Sequence, residues 1–507
     1  MERLKERNLV RKKWRPGMLR VAVLYPSHYS IAASSLSYQM LYYYLASIPQ
    51  FYVERIVMRE EPTSLESGLP LRAFDLAFMS IHYEPDYVNF LYILIKGGVE
   101  PRASRRNKPW IIVGGPPIIS NPSPIEDFAD VMVIGEIEST LPPIIGKIVE
   151  HYPDKEKFLE SLDPKKGFYT GKTRHTGEKV YMNYAVPLPK EFHPKAQFSP
   201  INQVEGYTHA TMVETNRGCF RMCSFCMEGH IFNYMRERPL SDVLEIIDQG
   251  VRLNDTLRLK FISLSFFDYS HAEELLEEVY LRRLEASIPS LRAETLNEYR
   301  LELMRKVSQK TLTIAPETGS RRLAIRLRKY VPPDMALSIA TAAKALGFKG
   351  LKMYFMIGLP GEELEDLEAD VEYILTISRS GFRGNRELKV TVSPLVPKPH
   401  TEFEREPWVG LKEARRRIHY LKRRVSGVAE IRPYDPRWAQ IQTVISRGGA
   451  ELGKLLLRWA LEGGGLGGWR KAVKESGINI ERYLGRIDGE VPWRQIVVPG
   501  RPSILRA

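Results

Sequence analysis

Short apolar runs alternate with longer amphipathic stretches over the first 150 residues. Runs of about four to eight apolar residues that end at Pro or Gly are typical of strands buried on both faces of a sheet. Apolar residues at helical spacing predict helices between these strands. The alternation predicts an α/β fold with a doubly wound parallel sheet over residues 18–150. The predicted strands are 19–26, 52–58, 74–80, 109–113 and 131–136, and the predicted helices are 34–46, 86–97 and a stretch up to 148.

A second alternating pattern begins at Tyr207. Six βα units in series predict a partial or full βα barrel over residues 206–405, with functional residues on the loops after the strands. The predicted strands are 211–214, 259–265, a short one ending at 290–292, 310–316, 350–358 and 388–393. The predicted helices are 241–253 with Ser241 as its N-cap, 272–285, 295–307, 320–328, 332–346 and one ending at 378.

Three segments lie outside these two patterns. Residues 1–17 are polar and basic, and we interpret them as a solvated tail. Residues 151–205 are interpreted as a linker, with a hairpin within 165–183 and a proline-rich extended part at 187–200. Residues 406–507 are predicted to be a helical C-terminal region, with helices at 411–425 and 441–462 and a flexible Gly-rich turn at 463–468.

Composition and charge narrow the class of protein. The 507-residue chain has no apolar run near the ~18 to 20 residues that a membrane span needs, and its basic N-terminus has no apolar core of a secretory signal. With three clustered cysteines and no disulfide framework, the expected location is a reducing cytoplasm. The net charge of +13 and pI of 9.4 favour a polyanionic partner such as RNA or a basic proteome background. Abundant Arg and Glu and 35 Pro would suit a thermophile.

The carboxyl ends of the first set of strands predict one ligand site. Ligands of doubly wound sheets bind beyond these ends. This rule places residues 26–30, 80–83, 114–117 and 135–136 around a single crevice, and we expect Gly114, Gly115 and Gly135 to contribute to it.

All three cysteines of the chain, Cys219, Cys223 and Cys226, lie in one loop after the first barrel strand. Three thiolates can hold three irons of a [4Fe–4S] cluster and leave the fourth iron open. A Cys3His zinc site with His230 is the alternative. Against zinc, Phe225 fits a loop that shields a cluster, the loop is where barrel active sites lie, and a barrel of this size needs no zinc for stability.

The pattern C-x3-C-x-φ-C after a first barrel strand resembles the signature of radical S-adenosylmethionine (SAM) enzymes. Further motifs extend the similarity to about residues 18–495, and the whole resembles radical SAM proteins with an N-terminal cobalamin-binding-like domain. These motifs are at 25–29, 114–116, 133–136, 313–320, 354–362 and 393–401, with weaker ones at 434–436, 447–449, 468–469 and 492–493.

The resemblance implies that Cys219, Cys223 and Cys226 bind three irons and that SAM chelates the fourth. An electron from the cluster would cleave SAM to a 5′-deoxyadenosyl radical, which abstracts hydrogen from the substrate in a site closed to water. The implied electron donor is a protein of the ferredoxin or flavodoxin type.

The resemblance also assigns contacts to SAM. Glu317 and Ser320 would contact its ribose or amino-acid part, and Arg292 its carboxylate, because a guanidinium fork suits a carboxylate. For Glu317, a carboxylate favoured by a helix N-terminus is the alternative. Gly358 would pass close to the adenine. The Gly-Gly-Glu segment that often holds the SAM amine is missing after the second strand, so backbone carbonyls near Ser265 would have to serve.

The first domain lacks Asp-x-His-x-x-Gly, whose histidine ligates cobalt in base-off cobalamin proteins. We interpret His28, in the first βα loop, as an ordinary loop histidine. Cobalamin would then bind without a protein ligand or would not bind.

Three functions follow from these features. The first is a radical SAM enzyme, either a cobalamin-dependent methyltransferase or an enzyme of another radical modification of carbon. The second, a methylthiotransferase, needs a second cluster, and no further cysteines are present to hold one. The third is a cobalamin-binding or RNA-binding scaffold with a structural cluster, suggested by the basic residues at 411–425. The sequence leaves the substrate open among RNA, a lipid and a protein.

Overall fold

The computed structural model describes residues 5–289 and 291–498. The chain forms two compact units. The first contains residues 5–209, 444–483 and 489–498, and the second contains 210–443 and 484–488, apart from residue 290, which lies outside the described residues. The division at 209/210 lies near the predicted boundary at 205/206. The predicted C-terminal region is not a unit of its own, because its residues are shared between the two.

A six-stranded sheet organises the first unit. Its strands are β1 Leu19–Tyr25, β2 Phe51–Val57, β3 Leu76–Ser80, β4 Trp110–Gly114, β5 Val131–Val133 and β6 Phe168–Tyr169. They lie in the order β2-β1-β3-β4-β5-β6, and all neighbours are parallel except the last pair. The order reverses between β1 and β3, which is the switch point of a doubly wound sheet. The predicted α/β fold of this domain is confirmed.

Amphipathic helices cover this sheet because they bury their apolar faces on it. Leu41 and Leu45 from one helix and Ile144 and Ile148 from another share a core with strand residues such as Val23. The longer helices are α1 Leu36–Ser47, α2 Asp86–Lys96 and α3 Ile137–His151. Shorter helices are Tyr29–Ala33, Pro116–Ser120, Lys155–Glu160 and Gly171–Thr176.

Residues 151–205 differ from the prediction. Phe168–Tyr169 pairs with β5, and Val180–Tyr181 pairs with Ile496–Val497, so the two segments do not form a hairpin. The reason is that Phe168 is buried and completes the sheet. Residues 151–205, expected to be a linker, therefore contribute an edge strand to the first unit.

The described part of the basic tail is also not a solvated extension. Glu6 forms an ion pair with the fully buried Arg55 at 2.6 Å. Lys12 donates to the backbone oxygens of Ala46, Ile48 and Phe51 at 3.2, 2.6 and 2.9 Å. Its ammonium thus satisfies carbonyls beyond the C-terminal end of α1. Residues 1–4 of this tail lie outside the described residues.

The second unit consists of parallel strands with helices between them. The strands are β7 Thr211–Glu214, β8 Arg258–Ile262, β9 Glu285–Ser287, β10 Thr311–Glu317, β11 Gly350–Ile357, β12 Leu388–Pro394 and β13 Glu430–Pro433. One sheet has the order β7-β8-β9 and another the order β10-β11-β12-β13, and among the described residues a single bridge between Leu291 and Ile314 joins them. Among the described residues no pairing closes β7 against β13, so this is a partial barrel.

The helices of this unit pack outside the strands around one large apolar core. The N-cap of α4 is Pro239 rather than the predicted Ser241. The longer helices are α4 Leu240–Asn254, α5 Ala272–Leu281, α6 Glu298–Lys306, α7 Pro333–Ala345, α8 Leu364–Ser378 and α9 Leu411–Arg424. Shorter ones are Met227–Ile231, Arg321–Arg326 and Gly384–Glu387.

The predicted long helix at 441–462 is two helices, α10 Pro436–Arg447 and α11 Leu452–Leu461. The predicted flexible turn at 463–468 is wrong in its second half, because α12 Gly465–Ser476 begins inside it. Trp469 is buried on α12 and lies 5.0 Å from the ring of Trp459, which holds the glycines in a helix. None of the described helices is long and apolar enough to cross a bilayer.

Candidate functional site

The three cysteines lie in a loop that leaves the carboxyl end of β7. Asn216–Arg217 and Arg236–Glu237 pair as short antiparallel segments and close the base of this loop. Gly218 has φ +87°, and a Cβ there would lie 2.4 Å from the backbone oxygen of Phe232. Cys219 N donates to that same oxygen at 3.3 Å. Only glycine allows the two sides of the loop to approach so closely.

Burial makes the thiolate form of Cys219 and of Cys226 costly. Cys223 is buried, and Cys219 and Cys226 are partly exposed. Burial raises the pKa of Cys219, and it raises the pKa of Cys226 to about 12. A bound metal would offset this cost, since coordination deprotonates a thiol.

No three His, Cys, Asp or Glu side chains in the described parts of the chain are arranged around a single metal ion. Cysteines of a [4Fe–4S] cluster each bind a different iron, so they do not have to meet at one point. The Nδ1 atom of His230, the fourth ligand of the zinc alternative, lies 2.8 Å from the backbone oxygen of Cys226.

Ser224 and Phe225 fasten the loop to the rest of the second unit. Ser224 N donates to the oxygen of Leu327 at 3.0 Å, and its hydroxyl contacts the oxygen of Arg326 at 2.8 Å. Phe225 packs on an apolar cluster that includes Met356 and Leu359. Residues that follow β10 and residues at the carboxyl end of β11 therefore hold the cysteine loop in place.

Arg292 lies beside the loop. Its Nη1 donates to Cys223 Sγ at 3.3 Å, and its Nε donates to Glu294 Oε1 at 2.6 Å. Nη2 of Arg292 also contacts Glu294. The fork expected to hold the SAM carboxylate is therefore occupied by a carboxylate of the protein.

Ser265 is buried just after β8, where the sequence predicts it. The short 3₁₀ turn that follows contains Asp268, which forms an ion pair with Arg221 of the cysteine loop, with Nε to Oδ2 at 3.0 Å. The loop after the second barrel strand is thus held against the cysteine loop.

Glu317 ends β10 in an unusual conformation. It has φ +69° and is buried, and the pairing register of the strand shifts between Ile314 and Glu317. Its carboxylate receives a hydrogen bond from Lys329 Nζ at 2.7 Å. A non-glycine residue at positive φ costs about 1–3 kcal/mol, and such strain is concentrated at functional sites.

Ser320 has a structural role in the described geometry. Its hydroxyl donates to Asp366 Oδ1 at 2.5 Å and accepts from Leu323 N at 3.4 Å as the N-cap of Arg321–Arg326. The spacing of the motif cannot show this, because Asp366 comes from α8.

The turn after β11 is built around Glu362. Its Oε2 accepts from Gly358 N at 2.7 Å and pairs with Arg417 of α9. Burial raises the pKa of Glu362 to about 7. Arg417 is thus turned inward, while Arg415, Arg416, Lys422, Arg423 and Arg424 of the same helix are exposed.

Sequence reasoning missed a buried ion group beneath the cysteine loop. Glu214 at the end of β7 accepts from Arg217 Nε at 2.8 Å and from Arg238 Nη2 at 2.7 Å. These two guanidinium groups hold the pKa of Glu214 well below its usual range despite burial. The alternating polar letters around the cysteines carry no signal for this pairing.

The predicted crevice residues meet in the first unit. Gly114, Gly115 and Gly135 line a cavity of ≈ 50 Å³ together with apolar side chains such as Val133 and Leu141. A Cβ on Gly115 would lie 2.0 Å from the backbone oxygen of Ile81, so this glycine first serves the contact between two βα loops.

His82 lies at the switch point beside this cavity. Its Nε2 contacts Ser37 Oγ at 2.9 Å and Ser80 Oγ at 3.2 Å. His82 is itself exposed. The sequence placed residues 80–83 at the crevice without singling this histidine out.

Comparisons with known proteins agree with this geometry. Residues 213–374 match the family described as Radical SAM superfamily, and residues 37–170 match Radical SAM proteins, N-terminal. An uncharacterised protein of Methanocaldococcus jannaschii is 29% identical over 485 residues, which cover 94% of this chain and 98% of that protein. A putative methylthiotransferase of the same organism is 26% identical over 316 residues, or 59% of this chain and 63% of that protein.

Among solved structures, the radical SAM methyltransferase TsrM from Kitasatospora setae, with cobalamin and a [4Fe–4S] cluster bound, has a similar fold. Its TM-score is 0.56 at 14% identity, and the match covers 79% of this chain and 75% of that one. The second unit thus matches the radical SAM superfamily and the first unit matches the N-terminal region of radical SAM proteins, and the fold resembles that of a methyltransferase with cobalamin bound. The predicted cofactors are a [4Fe–4S] cluster, SAM and cobalamin. These are the cofactors of radical SAM proteins such as TsrM.

Proposed function

We propose that this protein is a radical SAM enzyme that holds a [4Fe–4S] cluster on Cys219, Cys223 and Cys226. The main support is that every cysteine of the chain lies in one braced loop after the first strand of the partial barrel. When bound, the cluster would supply the electron that cleaves SAM to the radical that takes hydrogen from the substrate.

The residues of the chain have separable tasks in this proposal. The three thiolates hold the cluster. Burial raises the pKa of Cys219 and of Cys226, so binding the cluster there releases protons. Phe225 and its apolar neighbours keep water from one side of the loop.

For SAM we propose Ser265 through its backbone and Gly358 through close backbone approach. Glu317 is the strongest acidic candidate because it is buried at a strained φ of +69° at the carboxyl end of β10, where Lys329 is its partner. Arg292 can take the SAM carboxylate only by releasing Glu294. Ser320 supports the segment around Glu317 through its cap and its bond to Asp366.

For the finer reaction we propose cobalamin-dependent methyl transfer. The cavity at Gly114, Gly115 and Gly135 has the apolar lining and the place at the strand ends that a flat cofactor base needs. Its ≈ 50 Å³ is smaller than such a base, so binding requires α1 or α3 to move. His82 is the side chain best placed to interact with a group held there.

The partners proposed are an electron donor of the ferredoxin or flavodoxin type and a substrate that is an RNA, a lipid or a protein. The exposed basic face of α9 suits an RNA. It also motivates the second candidate, a cobalamin-binding or RNA-binding protein whose cluster is structural. Methylthiotransferase chemistry is not proposed despite the relative with that putative function, because no cysteines remain for a second cluster.

Two spectroscopic measurements test the proposal. After anaerobic reconstitution, addition of SAM should change the electron paramagnetic resonance (EPR) spectrum of the reduced cluster, because SAM binds the open iron. An intact cluster that does not respond to SAM would favour the structural-cluster alternative. Visible absorbance after anaerobic incubation with cobalamin and desalting tests the methyl-transfer proposal, and retention of no cobalamin would contradict it.

A further inference from the structure

Arg292 makes a direct contact with one of the three cysteines. Its Nη1 lies 3.3 Å from Cys223 Sγ, a normal distance for an N–H donor and a sulfur acceptor. Cys223 is 7% exposed and the Arg292 side chain 13%, so water screens this contact little. Among the described residues, neither Cys219 nor Cys226 accepts a hydrogen bond of this kind from a cationic side chain.

Glu294 controls how much of the charge of Arg292 reaches the sulfur. Its Oε1 accepts from the other two nitrogens of the guanidinium, Nε and Nη2. Its Oε2 and the hydroxyl of Tyr373 are both buried without a hydrogen-bond partner in the described parts of the chain. Glu294 therefore holds the guanidinium of Arg292 in position and partly neutralises its positive charge.

We infer that Arg292 sets the reduction potential of the cluster by donating a hydrogen bond to Cys223, and that Glu294 limits this effect. The inference rests on the proposed function, because it requires the cluster on the three cysteines. Arg292 is then a positioning residue that acts through Cys223, in addition to any contact with SAM.

The physical argument concerns the charge of the cluster. On reduction the cluster gains one electron from an external one-electron donor, which is oxidised by one electron, and no bond forms or breaks. Part of the added negative charge lies on the cysteine sulfurs. A hydrogen bond and a positive charge at Cys223 stabilise the reduced state and raise the potential, whereas the carboxylate of Glu294 lowers it.

The test is a redox titration of the reconstituted full-length protein without SAM, monitored by EPR. The variant Arg292→Gln should lower the midpoint potential, and a tenfold change in the reduction equilibrium corresponds to 59 mV for one electron. The variant Glu294→Gln should raise it. The control Arg258→Gln should leave it unchanged, since Arg258 pairs with Glu285 at the amino ends of β8 and β9, whereas the cysteine loop lies at the carboxyl end of β7.

Opposite shifts for Arg292→Gln and Glu294→Gln support the inference. Unchanged potentials, or shifts of the same sign, overturn it. If the Arg292→Gln variant does not hold four irons, the midpoint potential of Glu294→Gln decides. A higher potential than wild type supports the inference, and any other result overturns it. If the wild-type protein itself binds no cluster, the proposed function fails first and the two failures are distinguished.

Discussion

The hydroxyl of Ser224, between two of the cysteines, donates to Glu402 Oε2 at 2.9 Å. Glu402 N returns a hydrogen bond to the backbone oxygen of Ser224 at 3.2 Å, and Arg328 pairs with the second carboxylate oxygen of Glu402 at 2.5 Å. The segment after β12 thus forms two hydrogen bonds with Ser224 in the middle of the cysteine loop. This contact joins residues 178 positions apart, and it fixes the loop before any cofactor binds.

Replacing Ser224 with Ala should loosen the loop without unfolding the protein. A hydrogen bond to a charged group contributes about 1.5–3 kcal/mol, so we expect roughly a tenfold faster loss of iron to a chelator. Iron release followed by absorbance measures this rate. Ser426→Ala, at an exposed serine of the same unit, is the matched control and should match wild type. Equal rates for the two variants would show that the Glu402 contact does not hold the loop.

Replacing Gly218 with Ala should disrupt the loop more strongly. The new Cβ would lie 2.4 Å from the oxygen of Phe232 at a φ of +87°, so the two sides of the loop must move apart. We expect the variant to retain fewer irons per chain after reconstitution. Gly427→Ala is the control, because Gly427 has φ +78° but open space around it. If both variants bind iron equally, close approach at Gly218 is not required.

The arginines of α9 should differ sharply in their effect on stability. At pH 8, where Glu362 is ionised, Arg417→Met leaves its carboxylate buried without its cation, and breaking a buried pair costs about 3–5 kcal/mol. Arg423→Met removes an exposed charge and should change stability by no more than about 0.5 kcal/mol. Urea unfolding of the two variants measures the difference. A similar loss in both would mean that Arg417 is not the inward residue of this helix.

Glu362 should make stability fall as pH rises. Burial raises its folded pKa from 4.5 to about 7, so the folded protein binds this proton more tightly than the unfolded chain does. Its stabilising contribution is full below about pH 4.5 and is lost as pH rises through about 7. Glu362→Gln should remove this dependence, which urea midpoints measured between pH 5 and 8 would show. Parallel pH profiles for wild type and variant would contradict the raised pKa.

The regular elements were predictable because their signal is local. Runs such as 19–25 and 350–357 are apolar except for one basic residue each, and Pro or Gly follows them. Strand β13 was missed because Ile431 is its one buried residue, which leaves no apolar run to detect. The turn at 463–468 was mispredicted because its helix depends on packing between Trp459 and Trp469, which is not visible in the glycines themselves.

The candidate site was predictable only in part for a related reason. The cysteines are adjacent in sequence, so their motif was visible. The partners of Arg292, Ser320 and Glu317 are set by which residues the fold brings beside them, namely Glu294, Asp366 and Lys329. The resemblance to radical SAM enzymes assigned all three to SAM, and those assignments stay proposals. The suggestion of a thermophile also stays a prediction.

Formation of 5′-deoxyadenosine tests the central claim most directly. The reconstituted protein is incubated anaerobically with SAM and a chemical reductant, and iron, sulfide and nucleoside products are quantified per chain. The proposal predicts about four irons and four sulfides for wild type with 5′-deoxyadenosine formed only on reduction, and neither cluster nor product for Cys223→Ala. A colourless wild-type protein that binds zinc, or an intact cluster with no cleavage of SAM, would contradict it.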